Sequence, residues 1–139
     1  MNKRDIAVDL LKKFLGLPYK WGGNDPMEGF DCSGLVIEML QSVGIMERKA
    51  DFNADGLSKL YPETELIQPG VLVFYDWNND GVMDHVEIVA FLDEDGEVFT
   101  IGASGGNSAT SSQEVAQGQN AYVKVRPLVP GYKIATDPF

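Results

Sequence analysis

Cysteine and histidine are the scarcest reactive side chains in this sequence of 139 residues. It contains one cysteine, Cys32, and one histidine, His85. A single cysteine excludes an internal disulfide framework, and it also excludes a zinc site built from several thiolates. The chain therefore has one thiol and one imidazole, and the two side chains are a candidate nucleophile and its base.

Basic residues and long apolar runs are also few. Eleven lysines and arginines oppose 21 aspartates and glutamates, which gives a formal net charge of −10. Binding to nucleic-acid phosphates or to an anionic membrane surface needs a basic patch, so we expect no nucleic-acid partner and no membrane contact. No apolar stretch approaches the roughly 20 residues that span a bilayer.

A secretory leader is not recognisable at the start of the sequence. The first five residues are not followed by an apolar run that ends in a small-residue cleavage site. We therefore expect no signal peptide, a protein that is cytoplasmic when made, and delivery by other means if it acts outside. The length fits one domain covering residues 1–139, and we expect a monomer.

Helical spacing of apolar residues marks two segments, residues 5–15 and residues 33–43. Gly16 ends the first helix and Gly44 the second. A third, short helix is predicted over residues 53–60, with Asn53 as its N-cap. The predicted apolar stripes are Ile6, Leu10, Leu11, Phe14 and Leu15 in the first helix, and Leu35, Val36, Met39, Leu40 and Val43 in the second.

Strand patterns dominate the second half of the sequence. The predicted strands are residues 71–75, 86–92, 97–102 and 122–126, with a polar loop over 76–84, a hairpin turn over 93–96 and a long polar loop over 103–120. Pro127 and Pro130 are expected to close the domain. Helices followed by antiparallel strands indicate an α+β fold, with the N-terminal helices packed on a central antiparallel sheet.

Cys32 lies where a glycine-rich loop is expected to become the second helix. The positive end of a helix macrodipole stabilises the reactive thiolate at such a position. The backbone N–H of Cys32 could also donate to a developing oxyanion. Gly34, in the first turn of the same helix, lets another backbone approach closely.

Four stretches around these residues resemble the NlpC/P60 cysteine peptidases. YKWGG at residues 19–23 and GFDCSGLV at residues 29–36 are similar to the nucleophile motif of that family. QPGVLVF at residues 68–74 and DHVEIV at residues 84–89 resemble the strand before the catalytic histidine and the histidine strand itself. The likeness extends over most of the chain.

The resemblance implies a papain-like α+β fold and hydrolysis of amide bonds in peptidoglycan stem peptides, often between D-glutamate and a diamino acid. By position, Cys32 would be the nucleophile and His85 the base, acting through a thioester. Tyr19 would flank the scissile carbonyl, and Asp31 and Ser33 would line the peptide-binding subsites.

The family usually has a third polar residue that orients the histidine from the next strand, and the position expected for it is Gly102, which has no side chain. Ser104 is our first candidate to hold the Nδ1–H of His85 instead. Glu87 and Asn107 are the alternatives, as is a backbone carbonyl. An imidazole without such a partner samples unproductive orientations, which lowers activity.

The candidates follow from the expected register of the hairpin. A turn closed by Asp93 and Gly96 places Ser104 and Glu87 on the same face as His85, because side chains alternate along a strand. The opposed residues would be Leu92 and Glu97, Glu87 and Gly102, and His85 and Ser104.

The polar loop before His85 has the oxygen spacing of an EF-hand calcium loop. Its potential ligands, at places 1, 3, 5, 9 and 12, are Asp76, Asn78, Asp80, Asp84 and Glu87. Strands flank this loop, whereas helices flank an EF-hand. We therefore favour a tight Asx-type turn without metal and expect no metal and no cofactor, with calcium at these five residues as the alternative.

The sequence thus favours a cysteine peptidase of peptidoglycan, of the kind found in phage endolysins or tail lysins and delivered by a holin, a phage particle or a secretion machine. A CHAP-like N-acetylmuramoyl-L-alanine amidase is one alternative, and an amidase or acyltransferase of small molecules is another. A non-catalytic binding or assembly module is the third. Gly102 favours that module, whereas Cys32 and His85 favour an enzyme.

Overall fold

The computed structural model describes residues 2–25, 29–105 and 113–139. In chain order the elements are α1 (Lys3–Lys13), β1 (Asn24–Asp25), β2 (Gly29–Phe30), α2 (Cys32–Ser42), α3 (Ala54–Leu57), β3 (Leu72–Tyr75), β4 (His85–Leu92), β5 (Val98–Ser104), α4 (Gln113–Gly118), β6 (Tyr122–Pro127) and β7 (Ile134–Thr136). Among the described residues, no helix has the length and apolar character needed to cross a membrane.

Polar N-caps set the starts of the first three helices. Asn2, Asp31 and Asn53 each accept a hydrogen bond from the backbone N–H three residues further on. The predicted cap at Asn53 is confirmed, although α3 ends at Leu57 and is shorter than expected. The predicted second helix is also confirmed, with α2 starting one residue earlier, at Cys32 itself.

Five strands form one antiparallel sheet in the order β6-β5-β4-β3-β7. Strand β3 is buried on both faces: Leu72 and Phe74 pack in the cluster that contains α2, and Val73 and Tyr75 belong to a second cluster on the opposite face. Helix α2 lies against β4 and β5. This arrangement confirms the predicted α+β fold with helices packed on an antiparallel sheet.

The buried face of α1 agrees only in part with the predicted stripe. Leu11 is buried and Phe14 packs against the core, as predicted, but Ile6 and Leu15 are 46% and 40% exposed, and Ala7 and Val8 are buried instead. Both sets of residues recur at helical spacing, so periodicity allowed either face. Ala7 and Val8 have smaller side chains than Ile6 and Leu15, and they let the helix pack closely against the core. The apolar pattern of the sequence did not favour this face over the predicted one.

The C-terminal part contains two elements that the sequence did not predict. Helix α4 lies within the stretch expected to be a polar loop, and only Ala116 of its described side chains is buried. Strand β7 pairs with β3, with Ala135 opposite Val73, so the domain does not close at Pro127 and Pro130 as expected. A three-residue strand and a polar six-residue helix are too short to show a hydrophobic period.

The β4–β5 hairpin has the predicted register only in the part away from its turn. Leu92 pairs with Val98 and not with Glu97, so the expected register is wrong beside the turn. A bulge between Val89 and Phe91 corrects the offset, and Ile88 then lies opposite Ile101. The pairs Ile88–Ile101 and Val89–Thr100 have the predicted register, and the pairing of Glu87 with Gly102 and of His85 with Ser104 stays a prediction.

A close backbone contact fixes the glycine-rich loop against the start of α2. A Cβ atom at Gly34 would lie 1.9 Å from the carbonyl oxygen of Gly23. The same carbonyl accepts a hydrogen bond of 3.0 Å from the backbone N–H of Asp31. The prediction that Gly34 permits a close backbone approach is confirmed, and this contact determines where Cys32 lies.

We expect Gly34→Ala to lower the free energy of unfolding by about 1–3 kcal/mol, because the added methyl group must displace a backbone carbonyl. This loss outweighs the gain of roughly 1 kcal/mol that alanine gives a helix interior. Gly118→Ala is the matched control, since nothing lies within 4 Å of a Cβ at that helical glycine. Urea unfolding of both variants tests the contact, and equal stability of Gly34→Ala and the parent would contradict it.

Candidate active site

A cleft of about 690 Å³ opens between the start of α2 and the start of β4. It brings together most of the site residues that the sequence predicted, namely Tyr19, Asp31, Cys32, Ser33, His85 and Ser104. Glu87 is not part of the cleft lining and contacts the buried side of His85. Asn107 lies outside the described residues.

Cys32 is the first residue of α2 and is 9% exposed. The N-cap Asp31 accepts hydrogen bonds from the backbone N–H groups of Gly34, at 2.7 Å, and Gly22, at 2.9 Å. Among the described residues, no acceptor is bonded to the backbone N–H of Cys32. That N–H is therefore available to a carbonyl oxygen placed in the cleft.

Asp31 has a structural task that the sequence did not reveal. One of its oxygens accepts from Gly34 and also from the Ser33 hydroxyl, at 3.2 Å, and the other accepts from Gly22. The pKa of Asp31 is raised, because burial raises it by more than these hydrogen bonds lower it. Asp31 thus connects the loop to the helix, and peptide binding by Asp31 and Ser33 stays a prediction.

His85 opens β4 and is 9% exposed. Its Nε2 atom lies 2.7 Å from Oε2 of Glu87, and the Cys32 side chain is close enough to act on the charge of the ring. Burial opposes a charged imidazole, but the interactions with Cys32 and Glu87 outweigh burial and raise the pKa of His85 to about 9. The nitrogen that faces the orienting residue is Nε2, so our expectation of a partner for Nδ1–H is wrong.

Glu87 is 1% exposed, and both of its carboxylate oxygens are bonded. Oε1 accepts hydrogen bonds from the Thr100 hydroxyl at 2.6 Å and from Arg126 Nε at 3.3 Å. Oε2 accepts from Nη2 of Arg126 and faces His85. Burial alone would raise the pKa of Glu87, but the bonds from His85, Arg126 and Thr100 lower it, so the carboxylate is ionised at neutral pH.

Ser104, our first candidate for the orienting residue, does not have that role in this structure. Its hydroxyl is buried and has no hydrogen-bond partner among the described residues. The expectation for Ser104 is therefore wrong, and Glu87, which was the alternative, is the residue bonded to His85. The sequence could not decide between them because both side chains share the face of His85.

Tyr19 is 5% exposed and lines the cleft beside the nucleophile. Burial raises the pKa of the Tyr19 phenol strongly, and the nearby Cys32 and Asp31 raise it further. The phenol is therefore neutral at all physiological pH values and can donate a hydrogen bond to a substrate carbonyl or to a thiolate. This placement agrees with the position beside the scissile carbonyl that the family resemblance implies.

Sequence reasoning missed several residues of the cleft, of which Trp77 and Arg126 bear most directly on His85. The Trp77 ring stacks on Tyr75, with 4.6 Å between centroids, and lies 6.1 Å from the His85 ring, yet it is 56% exposed. Arg126, from β6, donates hydrogen bonds to the Glu87 carboxylate, which in turn is bonded to His85. An exposed tryptophan in a polar loop was a visible signal, whereas nothing local in the sequence connects Arg126 with His85.

The loop before β4 places Asp76, Asp80 and Asp84 with one oxygen of each within 4.8 Å of the others. The Asn78 amide nitrogen, oriented to donate, lies 3.1 Å from Asp76 and 3.2 Å from each of the other two carboxylates. Glu87 is engaged elsewhere and does not face this loop. The Asn78 hydrogen bonds are those of an Asx-type turn, which is the interpretation we favoured, and calcium at the first four positions stays the alternative.

Comparison with known proteins agrees with this geometry. The model of the NlpC/P60 family matches residues 16–127. The chain is 35% identical over 85 residues to murein DD-endopeptidase MepH from Escherichia coli, and 39% identical over 77 residues to the bifunctional muramidase/DL-endopeptidase CwlT from Bacillus subtilis. These alignments cover 60% and 55% of this chain but only 31% and 23% of the two relatives.

A solved structure extends the similarity to nearly the whole fold. An NlpC/P60 family protein from Bacillus cereus superimposes with a TM-score of 0.67 at 26% identity, covering 96% of this chain and 39% of that one. The family model matches most of the chain, and the cleft holds the cysteine and histidine that the family resemblance required. The chain belongs to the NlpC/P60 family.

Proposed function

We propose that this chain is a cysteine peptidase that hydrolyses amide bonds in the stem peptides of peptidoglycan. One observation carries the proposal: Cys32, at the N-terminus of α2, and a buried His85 line the same open cleft and interact there. The names of the relatives give it further support, since MepH is a murein endopeptidase and CwlT is a muramidase and endopeptidase.

The chemistry follows from the positions of the two side chains. The Cys32 thiolate attacks the scissile carbonyl, and the oxyanion that forms is stabilised by the backbone N–H of Cys32. His85, protonated, transfers its proton to the leaving amine, which breaks the C–N bond and leaves a thioester. A water molecule then attacks the thioester, His85 accepts its proton, and the thiolate is restored.

The charge of the cleft supports a substrate that carries an amine. Asp31, Asp51 and Asp84 line it, and the guanidinium of Arg126, which also borders the cleft, is paired with Glu87. An acidic cleft attracts a free amino terminus or the side-chain amine of a diamino acid more than it attracts a carboxylate. We therefore propose a bond near a diamino acid of the stem peptide as the target.

The rival hypotheses are separated by products. A CHAP-like amidase would release the peptide from the glycan at muramic acid, and an enzyme of small molecules would leave peptidoglycan intact. The non-catalytic module was favoured by Gly102, but Glu87 now provides His85 with a polar partner and removes that argument. Phage origin, delivery by a holin, particle or secretion machine, and the monomeric state stay predictions.

We expect the purified protein to release cleaved stem peptides from peptidoglycan, and Cys32→Ala to release none, because the thiolate forms the covalent intermediate. Mass spectrometry of digests of several wall chemotypes tests this expectation and identifies the bond. Thr136→Val is the control: it replaces a buried hydroxyl without a partner among the described residues, far from the cleft, and should retain the activity. If the protein released no new products from any of these peptidoglycans, the proposal would be contradicted.

We also expect Cys32 to be alkylated rapidly by iodoacetamide at a pH of about 6, where an ordinary thiol is mostly protonated. The reason is that His85, with a pKa raised to about 9, stays positively charged there and lies beside the attacking sulfur. His85→Ala should slow the reaction at least about tenfold at that pH and much less in strongly alkaline solution, where thiols in general are ionised. Similar rates for both proteins at a pH of about 6 would refute an effect of His85 on the reactivity of Cys32.

A further inference from the structure

Position 102, on the strand next to His85, is left without a side chain, and Glu87 fills the space beside it. A Cβ atom built on Gly102 would lie 2.9 Å from Cδ of Glu87 and 3.1 Å from its Oε2. That Oε2 atom is 2.7 Å from Nε2 of His85. A side chain that started at position 102 and extended by two or three bonds would therefore reach the same ring nitrogen.

We infer that Glu87 is the positioning residue of His85 and that Glu87 and a side chain at position 102 are mutually exclusive occupants of one space. Gly102 is then a component of the site, because its missing side chain is what admits the carboxylate. The inference rests on the proposed function, in which His85 is the base, and it identifies which strand supplies the partner.

Three contacts fix the Glu87 carboxylate in a single orientation. Thr100, from β5, donates to Oε1, and Arg126, from β6, donates to both oxygens. The position of Oε2 at His85 is thus set by three strands rather than by the rotamer preference of one side chain. Glu87 lies two positions from His85 on the same strand, so its side chain must bend towards the ring of His85. The glutamate side chain is long enough to do so, and these three contacts hold it in place.

The groups that act on the charge of His85 come from several elements. The titratable groups that interact with it are Cys32, from α2, and Glu87, from its own strand. Arg126 acts through Glu87, whose charge it partly neutralises. Trp77 and Tyr75 contribute uncharged rings at 6.1 Å and 6.0 Å. Glu87 is therefore the anion whose removal should shift the titration of His85.

The first test is a cycle of substitutions that moves the orienting side chain from one strand to the other. We expect Glu87→Gly to lower kcat/KM roughly 100-fold, since general acid–base catalysis by a positioned group contributes on that scale. Gly102→Gln alone should also lower it, because its side chain displaces the carboxylate. The double variant Glu87→Gly, Gly102→Gln should recover at least about tenfold relative to Glu87→Gly, since the new amide oxygen can accept from Nε2.

The second test separates positioning from a purely structural role. Glu87→Gln keeps the shape of the side chain but removes its charge, so the basic limb of the pH–rate profile, where His85 loses its proton, should move to lower pH. Ser104→Ala should leave that limb in place, because Ser104 makes no bond to His85. A limb that does not move in Glu87→Gln, or one that moves in Ser104→Ala, would overturn the positioning role.

The cycle also distinguishes failure of this inference from failure of the proposed function. If the parent cleaves peptidoglycan and the double variant is no better than Glu87→Gly, the shared-space inference is refuted while the peptidase stands. If the parent cleaves no wall, the peptidase proposal fails, and the same four proteins are ranked by the rate of Cys32 alkylation at a pH of about 6. Rapid alkylation of the parent, slow alkylation of both single variants and recovery in the double variant support the inference, and any other order overturns it.

Discussion

A buried carboxylate must be paired, and the architecture around His85 follows from that constraint. Glu87 is 1% exposed, and removing one partner of such a buried ionic group costs roughly 3–5 kcal/mol because the remaining charge is left uncompensated. Thr100, Arg126 and His85 together bond both oxygens. The space that the carboxylate needs exists only because position 102 is glycine. The Glu87 carboxylate therefore bridges strands β4, β5 and β6 and also bonds His85, the proposed base.

The nucleophile is positioned by an equally local constraint at the other wall of the cleft. The Gly23 carbonyl approaches so closely that only glycine fits at position 34, and the Asp31 carboxylate bonds both the loop and the first turn of α2. Cys32 is thereby fixed at a helix N-terminus, and its backbone N–H has no acceptor among the described residues. Two rigid supports, the start of α2 and the start of β4, thus bring the thiol and the imidazole together without depending on a mobile loop.

The sequence was sufficient for the parts of the site that depend on local signals. The glycine-rich loop, the N-cap and the apolar stripe of α2 are contiguous, so the place of Cys32 was predictable, as was the close approach at Gly34. Arg126 was not predictable, because its contact with Glu87 joins residues 39 positions apart across two strand pairings. The sequence favoured Ser104 over Glu87 wrongly for a related reason. Alternation along a strand shows which face a side chain lies on, but it does not show how far the side chain extends or which groups it bonds. Strand β7 and helix α4 were missed because, at three and six residues, they are too short to repeat a hydrophobic period clearly.

The account depends most directly on the protonation state of His85, and the chain offers a direct observation of it. His85 is the only histidine, so the imidazole nitrogen signals in a ¹⁵N-detected NMR titration need no assignment. If Glu87 and Cys32 hold His85 as described, the ring stays doubly protonated through neutral pH and loses its proton near a pH of about 9. Titration near the ordinary imidazole value of about 6.5 would contradict the account, because His85 would then be an ordinary surface-like histidine without an ionised partner.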